Sequence, residues 1–439
     1  MKTQSVRGVV WCGLFSFAGL CSAATNYVWP AASPEVLREE LFGLRVLLAL
    51  EDKGPKGTTK FLRESLAKDP SPHVQAWVAR LSLLAKDYGV EPAVDLATAE
   101  TLANGAAAYG SLVALDTLAR VKLNGLSGYA GDFESGVELL GKAATAGYPA
   151  AIATEGVLFM RGKGRPKDVA RGALMIRRAA ALGQPQGLFE IGVDFEMGGT
   201  FGPPNLEVAM EHYCLLAQYS NQGLNRLKML ADAGHARARF FYLLARVRRF
   251  NEGEEIAPSA ARAAVADLAA LETGDPRAWV ELGVAHLVGV YATRDYARAK
   301  NFFERALPFE EDAKMFLAYM QVGGLGVPKE AEAGLAKFGE LADKGNARAA
   351  AWLGALYYWG NSDMKHVRKN KTKAFHYTRQ AAEAGCSIGL RNLAFCYEHG
   401  IGTPENYTLA AIIYWRVKQA GWRDGKEKVI RHLAFAKMP

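Results

Sequence analysis

Glycine recurs in this chain of 439 residues at intervals that strongly constrain its fold. Glycines close alanine-rich stretches such as KAATAG, RAAALG, LADKG and QAAEAG, and they are separated by 42, 36, 51, 40, 71, 40 and 36 residues. These glycines are Gly105, Gly147, Gly183, Gly234, Gly274, Gly345, Gly385 and Gly421. If the longest interval contains two units, with an unmarked boundary near Phe309, the basic period is about 36 residues with loop insertions, which is typical of helix-turn-helix repeats.

Two further sets of small residues keep the same register. Counting nine residues on from these boundaries gives Gly156, Gly192, Gly283 and Gly354, and counting fifteen gives Gly162, Gly198, Gly289, Gly324, Gly360 and Gly400. Glycine just past a helix adopts the left-handed conformation without steric cost, so the fifteenth position ends the first helix of each unit. Glycine within a helix costs about 1 kcal/mol of helix propensity, so the ninth position predicts a close approach of paired helices.

Residues 162–164, 324–326 and 400–402 are Gly-x-Gly loops, each followed by proline within two residues. They lack the Gly-Lys-Ser/Thr continuation and the preceding strand of a phosphate-binding loop. Their recurrence predicts a structural turn between the two helices of a unit.

The repeat resembles the Sel-like repeat (SEL-one type), a relative of the tetratricopeptide repeat. The resemblance is carried by AAAWLGALYYWG at 349–360, KAFHYTRQAAEAG at 373–385, GVLFMRGKGRPKDVARGALMIRRAAALG at 156–183 and residues 392–421. It implies an all-α fold, a right-handed α/α superhelix (solenoid) of about nine helix-turn-helix repeats over residues 71–421, with helical caps. The pattern weakens at residues 223–258, where Leu243 and Arg249 replace small residues, so one unit there is expected to be degenerate.

The chain begins with the features of a secretory signal peptide. Lys2 and Arg7 precede an apolar run over residues 9–20 and small residues at 22–24, which predicts a signal peptide over 1–24 and export to the periplasm or the extracellular space. A retained N-terminal anchor and a lipoprotein acylated at Cys21 are the alternatives. No later stretch has the roughly 20 apolar residues of a membrane-spanning helix.

Capping segments are predicted on both sides of the repeats, because the terminal units of a solenoid would otherwise expose an apolar face. Residues 25–70 form the N-terminal cap, with helices over 34–51 and 58–68 and a turn at 53–57. Residues 422–439 form a basic C-terminal capping helix.

Sequence motifs for chemistry are absent. No Gly-x-Ser-x-Gly or His-Glu-x-x-His motif occurs and the eight histidines are dispersed, so we expect no catalytic residue, no cofactor and no metal site. Cys214, Cys386 and Cys396 are an odd number in the mature chain, and we expect them to be small core residues. The net charge of +8 is mild, and without a basic and aromatic platform we expect no nucleic-acid partner.

Two features predict a binding surface, although core burial of the aromatic residues and simple solvation of the basic loops are the alternatives. Tyr358 and Trp359 end a helix and are candidate exposed anchors of the kind that dominate interfaces. The basic residues of two loops are candidates for an anionic partner. They are Arg161, Lys163 and Arg165 in one loop and Lys369 and Lys371 in the other.

The resemblance implies a scaffold or adaptor for a protein or peptide partner, without catalysis of its own. Two alternatives stay open. Binding of a cell-wall glycan would use a row of exposed aromatic residues across units. Binding or hydrolysis of a small ligand such as a β-lactam is linked to an exported, cysteine-rich branch of the family, but that branch has regular disulfides that this sequence lacks.

Overall fold

A computed structural model describes residues 34–125, 131–182, 184–199, 202–251, 257–271, 274–359, 367–384 and 386–419. The predicted signal peptide and the predicted C-terminal helix over 422–439 lie outside these residues. No helix in the described part of the chain has both the length and the apolar character needed to cross a bilayer.

The described residues form 21 α-helices, and an isolated bridge between Gly199 and Gly202 is their only β pairing. The helices are α1 (Pro34–Lys68), α2 (Pro72–Leu83), α3 (Ala85–Tyr88), α4 (Leu96–Ala108), α5 (Leu112–Asn124), α6 (Phe133–Thr145), α7 (Pro149–Arg161), α8 (Val169–Ala181), α9 (Gln186–Met197), α10 (Leu206–Leu216), α11 (Asn221–Asp232), α12 (Ala236–Asn251), α13 (Pro258–Ala270), α14 (Pro276–Val288), α15 (Tyr296–Ala306), α16 (Glu311–Gly323), α17 (Ala331–Asp343), α18 (Ala347–Trp359), α19 (Lys371–Glu383), α20 (Ser387–His399) and α21 (Tyr407–Gln419).

Nine helix pairs account for most of these elements, which confirms the predicted all-α solenoid and its number of units. The pairs are α2 with α4, α5 with α6, α7 with α8, α9 with α10, α12 with α13, α14 with α15, α16 with α17, α18 with α19 and α20 with α21. A turn over residues 307–310 separates α15 from α16, where the unmarked boundary near Phe309 was predicted.

Recurring polar and glycine residues set the ends of the helices. Most second helices begin after an Asp or Asn whose side chain accepts a hydrogen bond from the third backbone N–H of the helix, as N-cap residues do. These are Asp95, Asp132, Asp168, Asn205, Asp295, Asn370 and Asn406. First helices end at predicted left-handed glycines, for example Gly162 and Gly324, with φ of 66° and 69°. Gly198 is an exception, because it ends α9 with φ of 76° and ψ of 135°, outside the left-handed helical region.

One predicted boundary is wrong. Gly105 lies inside α4, which continues to Ala108, and Gly110 with φ of 85° follows the end of this helix instead. A side chain at Gly105 would meet only Gln75 Oε1, at 3.8 Å. No close approach therefore requires glycine at position 105.

The predicted close approach of paired helices is confirmed at Gly156 of α7 and Gly172 of α8. A Cβ atom at Gly172 would lie 2.5 Å from the carbonyl oxygen of Gly156, and a Cβ at Gly156 would lie 2.9 Å from the carbonyl oxygen of Gly172. Real Cβ atoms do not approach backbone this closely. The two helices are therefore held at a separation that only glycine permits at both positions.

The interval of 51 residues contains an extra helix, not the predicted loop insertion. Helix α11 lies between two pairs and packs against α10 and α12. Arg237 Nε at the start of α12 is 2.9 Å from Glu207 Oε1 at the start of α10, so these helices point the same way. The predicted degenerate unit is thus a complete pair, α12 and α13, preceded by an additional helix.

In most neighbouring pairs the first helices contact one another directly, whereas the second helices make at most marginal contact in the described residues. One exception is at the inserted helix α11, where α12 packs against α10. The first helices therefore line the inner side of the curved array, and we call them the inner layer. The first and last described helices of the array also contact each other. Helix α21 packs against α1, and Lys418 Nζ lies 2.6 Å from Glu51 Oε2. Ser387 Oγ at the start of α20 donates to the carbonyl oxygen of Gln218 at 3.1 Å.

The N-terminal helix α1 is bent at Gly54, which has φ of 66° and ψ of −175°, within the predicted turn at 53–57. Glu39 joins this helix to α5. Its carboxylate accepts hydrogen bonds from the backbone N–H groups of Leu112 and Val113 at 3.1 and 3.4 Å, and from the hydroxyl of Ser111. Glu39 therefore caps the first turn of a helix from another unit.

We expect Glu39→Gln to weaken the pH dependence of stability. Burial raises the pKa of Glu39 to about 7, against the opposing effect of its hydrogen bonds. A raised carboxyl pKa stabilises the fold fully below the unfolded value of about 4.5, and this contribution is lost as the pH rises through 7. The free energy of unfolding between pH 4.5 and 7.5, measured with urea, should fall by about 2–3 kcal/mol more in the wild type than in the variant. Equal slopes would contradict this prediction.

Candidate interaction surface

The inner layer of the C-terminal half is cross-linked by buried charges. Arg348 of α18 binds both carboxylate oxygens of Glu281 of α14, at 2.9 and 3.2 Å, and reaches Asp312 Oδ2 at 3.0 Å. The Arg348 and Glu281 side chains are only 5% and 3% exposed. Asn251 Nδ2, at the end of α12, donates to Glu281 Oε2 at 2.8 Å. Four first helices are thus joined by one ionic cluster whose charges pair within the chain.

The N-terminal half has a similar buried cluster. Asp116 of α5 is fully buried and lies 2.8 Å from Arg80 Nη1 and 2.9 Å from Arg120 Nε. Arg120 Nη2 also approaches Thr154 Oγ1 of α7, at 3.4 Å. These inner-layer charges are likewise paired with one another, and they bind helices together.

Neither cluster was predicted from the sequence, although a signal for them exists. Asp116, Glu155 and Glu281 are each the only carboxylate in a largely apolar first helix. A lone acid on such a helix indicates a buried cation partner, because a buried charge is retained only when it is paired.

The candidate anchors at the end of α18 form an aromatic cluster with two residues of α20. Trp359 is 63% exposed and stacks on Phe395 with ring centroids 6.2 Å apart. Tyr358 is half-buried and packs edge-on against both rings, at 4.6 and 5.5 Å. His399 is exposed and its ring lies 4.1 Å from that of Phe395. We call Tyr358, Trp359, Phe395 and His399 the rim aromatic cluster, because they lie where two first helices end.

Lys369 and Lys371 are exposed and lie beside this cluster. They flank Asn370, whose backbone N–H donates to the carbonyl oxygen of Tyr357 at 2.8 Å, one residue before Tyr358. The cations of this loop and the following turn are Arg368, Lys369, Lys371 and Lys373, all of them exposed. Two sequence-predicted sets of candidate residues therefore meet at one rim.

In the other predicted basic loop, which contains Arg161, Lys163 and Arg165, one cation is bound within the fold. Arg165 lies 3.0 Å from Glu155 Oε1 and donates to the carbonyl oxygen of Val137 at 3.1 Å, which ties the loop to the preceding unit. Lys163 Nζ lies 5.0 Å from the ring centre of Phe133. Arg161 and Lys163 are exposed, but no exposed aromatic cluster accompanies them in the described residues.

Of the three cysteines expected in the core, Cys396 is buried, whereas Cys214 and Cys386 are half-buried. Burial raises the pKa of Cys214 to about 11 and that of Cys396 to about 12, so both are protonated at neutral pH and poor nucleophiles. No group of three or more His, Cys, Asp or Glu residues arranged to hold a metal ion occurs in the described part of the chain.

Several known proteins are similar to this chain. A curated protein of Neisseria meningitidis serogroup B, described as uncharacterized, is 24% identical over 68% of this chain and 64% of its own length, so the match spans just under two thirds of that relative. Among solved structures, c5321, a protective antigen of uropathogenic Escherichia coli displaying an SLR fold, is 23% identical over 84% of this chain and 81% of its own, with a TM-score of 0.31. A Sel1 repeat protein from Oxalobacter formigenes is 19% identical over 89% of this chain and 93% of its own, with a TM-score of 0.27.

The sequence profile of the Sel1 repeat matches residues 117–148, 153–184, 185–218, 277–307, 311–337, 347–386 and 387–416. The unmatched interval from 219 to 276 contains the inserted helix α11 and the pair that follows it. The matched stretches make up about half of the chain and coincide with the helix pairs, and the chain therefore belongs to the Sel1 repeat family.

Proposed function

We propose that this protein is exported and acts as an interaction scaffold that binds a protein partner through the rim aromatic cluster. Sel1 repeats generally mediate protein–protein interactions, and their solenoids are typically non-catalytic. The observation that supports the choice of this surface is that Trp359, a large apolar side chain at the end of α18, is 63% exposed. Exposed aromatic residues held in fixed positions are the usual anchors of protein interfaces.

The inner layer is a poorer docking surface than the rim. Its charged side chains, such as Arg348 and Asp116, are already paired with residues of the same chain. A partner on the inner layer would have to break those pairs, and breaking a buried pair costs several kcal/mol. The rim aromatic cluster offers apolar area without that cost.

We expect Trp359→Ala to abolish capture of the partner. The measurement is affinity capture from the native envelope fraction with the mature chain, comparing the wild type, Trp359→Ala and Tyr109→Ala. Tyr109 is 81% exposed at the end of α4, far along the chain from the cluster, and its loss should not affect capture. Truncation of a central aromatic anchor costs about 2 kcal/mol or more, roughly a thirtyfold loss of affinity.

Several results would contradict parts of this proposal. Retention of the same protein by both alanine variants would place the binding surface elsewhere. Saturable binding of cell-wall glycan or of a β-lactam, with no protein retained, would replace the scaffold function with ligand binding. Mass spectrometry of the full-length protein expressed in its native host tests export, because signal-peptide cleavage should give an N-terminus near Ala24 or Thr25. An intact Met1 would contradict this cleavage.

A further inference from the structure

We propose that the segment of the partner bound at the rim aromatic cluster is an acidic stretch of polypeptide carrying an apolar side chain. This inference rests on the proposed function and specifies the chemistry of the partner. It is drawn from the charges that surround Trp359.

Residues 367–373 contain four exposed cations and no carboxylate. They are Arg368, Lys369, Lys371 and Lys373. Helix α18, which carries Tyr358 and Trp359, also contains no acidic residue. Like charges this close together repel one another, and an acidic ligand relieves that repulsion.

Two carboxylates lie near the cluster, and one of them, Glu398, has its Oε2 atom 3.8 Å from Nδ1 of His399. Glu398 accepts a hydrogen bond from the hydroxyl of Tyr414 at 2.5 Å, and Glu405 accepts one from the hydroxyl of Tyr407 at 3.0 Å. In the described residues, none of the cations of residues 367–373 lies within ion-pairing distance of a carboxylate. Elsewhere in the fold, lysines such as Lys142 and Lys344 pair with a glutamate one helical turn away. The loop over residues 367–373 therefore presents four cations without a carboxylate partner in the described residues, beside an apolar anchor.

The backbone holds both features in a fixed relation. The hydrogen bond from the Asn370 N–H to the Tyr357 carbonyl joins the basic loop to the end of α18. Lys373 Nζ lies 5.2 Å from the ring centre of Tyr357, so one cation is also held over an aromatic face. A bound segment that covers Trp359 would thus bring its neighbouring residues against Lys369 and Lys371.

The test uses a random dodecapeptide library displayed on phage, selected on the full chain and counter-selected on Trp359→Ala. We expect the enriched peptides to carry net negative charge and at least one large apolar residue. The double variant Lys369→Glu/Lys371→Glu should reduce their affinity about tenfold, chiefly through slower association, and added salt should weaken binding to the wild type. Lys163→Glu/Lys167→Glu is the matched control, because it makes the same charge change in the other basic loop and should leave affinity unchanged.

Neutral or basic enriched peptides, an absence of enrichment, or equal affinity for both double variants would overturn the inference. Binding of the wild type to phosphatidylglycerol vesicles, lost in Lys369→Glu/Lys371→Glu, together with no peptide enrichment, would show that the anionic partner is a lipid surface. If an envelope protein is captured in a Trp359-dependent way but ignores the charge reversal, the scaffold function stands and only the acidic partner is refuted.

Discussion

Replacing Gly172 with alanine should destabilise the protein, although alanine is the better helix former. A methyl group at this position would lie 2.5 Å from the Gly156 carbonyl oxygen, so α7 and α8 must move apart to accept it. Overpacking of this kind costs about 1–3 kcal/mol and outweighs the gain of about 1 kcal/mol in helix propensity. Gly172→Leu, which adds a larger group at the same point, should prevent the pair from forming.

Gly105→Ala is the matched control and should have the opposite sign. Gly105 is also helical, but its nearest neighbour beyond the helix would be 3.8 Å from the new methyl group. The same substitution should therefore stabilise the protein by up to about 1 kcal/mol. Urea unfolding followed by circular dichroism gives both free energies. Stabilisation by both substitutions would show that the α7–α8 approach is not a packing constraint.

Hydrogen exchange gives the location of the effect. Each unit of a solenoid contacts mainly its neighbours, so loss of one interface weakens that region first. In Gly172→Ala, amide protection should fall in α7, α8 and the helices that pack on them, while α16 to α19 should keep theirs. A uniform fall in protection would contradict local coupling and indicate a single cooperative unit.

The spacing of the glycines predicts the solenoid well, because most of these glycines occupy positions where a side chain would be sterically unfavourable. Gly162 is needed where a helix ends in the left-handed conformation, and Gly156 where two helices touch. Both requirements depend on only a few neighbouring residues. The error at Gly105 arose because Gly110 follows a second alanine-rich stretch only five residues later, and local pattern does not distinguish which of the two ends the helix.

The inserted helix and the long-range contacts were harder to predict. Residues 221–232 have the length of a helix, but without the glycine phases of the repeat they read as a loop insertion within a long unit. The contact of Arg348 with Glu281 spans 67 residues, and that of Lys418 with Glu51 spans 367. Such contacts depend on the curvature of the whole array, which no single unit specifies.

The sequence predicted some residues of the candidate site but not others, because a single unit does not specify the contacts between units. Trp359 precedes a repeat glycine at the end of a first helix, and its exposure follows from that place in the unit. Phe395 and His399, which complete the cluster, occupy neighbouring positions in the next unit, so their proximity follows once the pairs are stacked. Arg165 was predicted as a loop cation, but its ion pair with Glu155 depends on how the loop folds back across the inner helix.

Removing the guanidinium group of Arg348 should cause the largest loss of stability among single side-chain truncations of the inner layer. Arg348→Met leaves Glu281, which is 3% exposed, without its bidentate partner and removes a cation from Asp312. Loss of one member of a buried ion pair costs about 3–5 kcal/mol. Arg379→Met breaks a more exposed pair with Glu383 within one helix, and it should cost no more than about 1 kcal/mol.

The pH dependence of this loss tests its electrostatic origin. Burial opposes ionisation of Asp312, but Arg348 and Arg248 hold its pKa below the ordinary value, so in the wild type its contribution is present at neutral pH and lost only in acid. Without Arg348, burial of Asp312 is opposed less, and protonation of the Asp312 carboxyl should relieve the variant as the pH falls. The penalty of Arg348→Met, measured by urea unfolding, should therefore be smaller at pH 5 than at pH 7.

A second substitution separates charge from packing. Arg348 also lies 5.1 Å from the ring centre of Phe316, so its loss could act through packing alone. Glu281→Gln in the Arg348→Met background removes the stranded charge while keeping the shape of the side chain, and it should recover part of the lost stability. If the double variant is as unstable as the sum of the single variants, and the penalty is the same at both pH values, the stability comes from packing. Recovery would show that paired charges hold the inner layer together. A partner that bound the inner layer would have to break these pairs, so the rim is the more accessible surface.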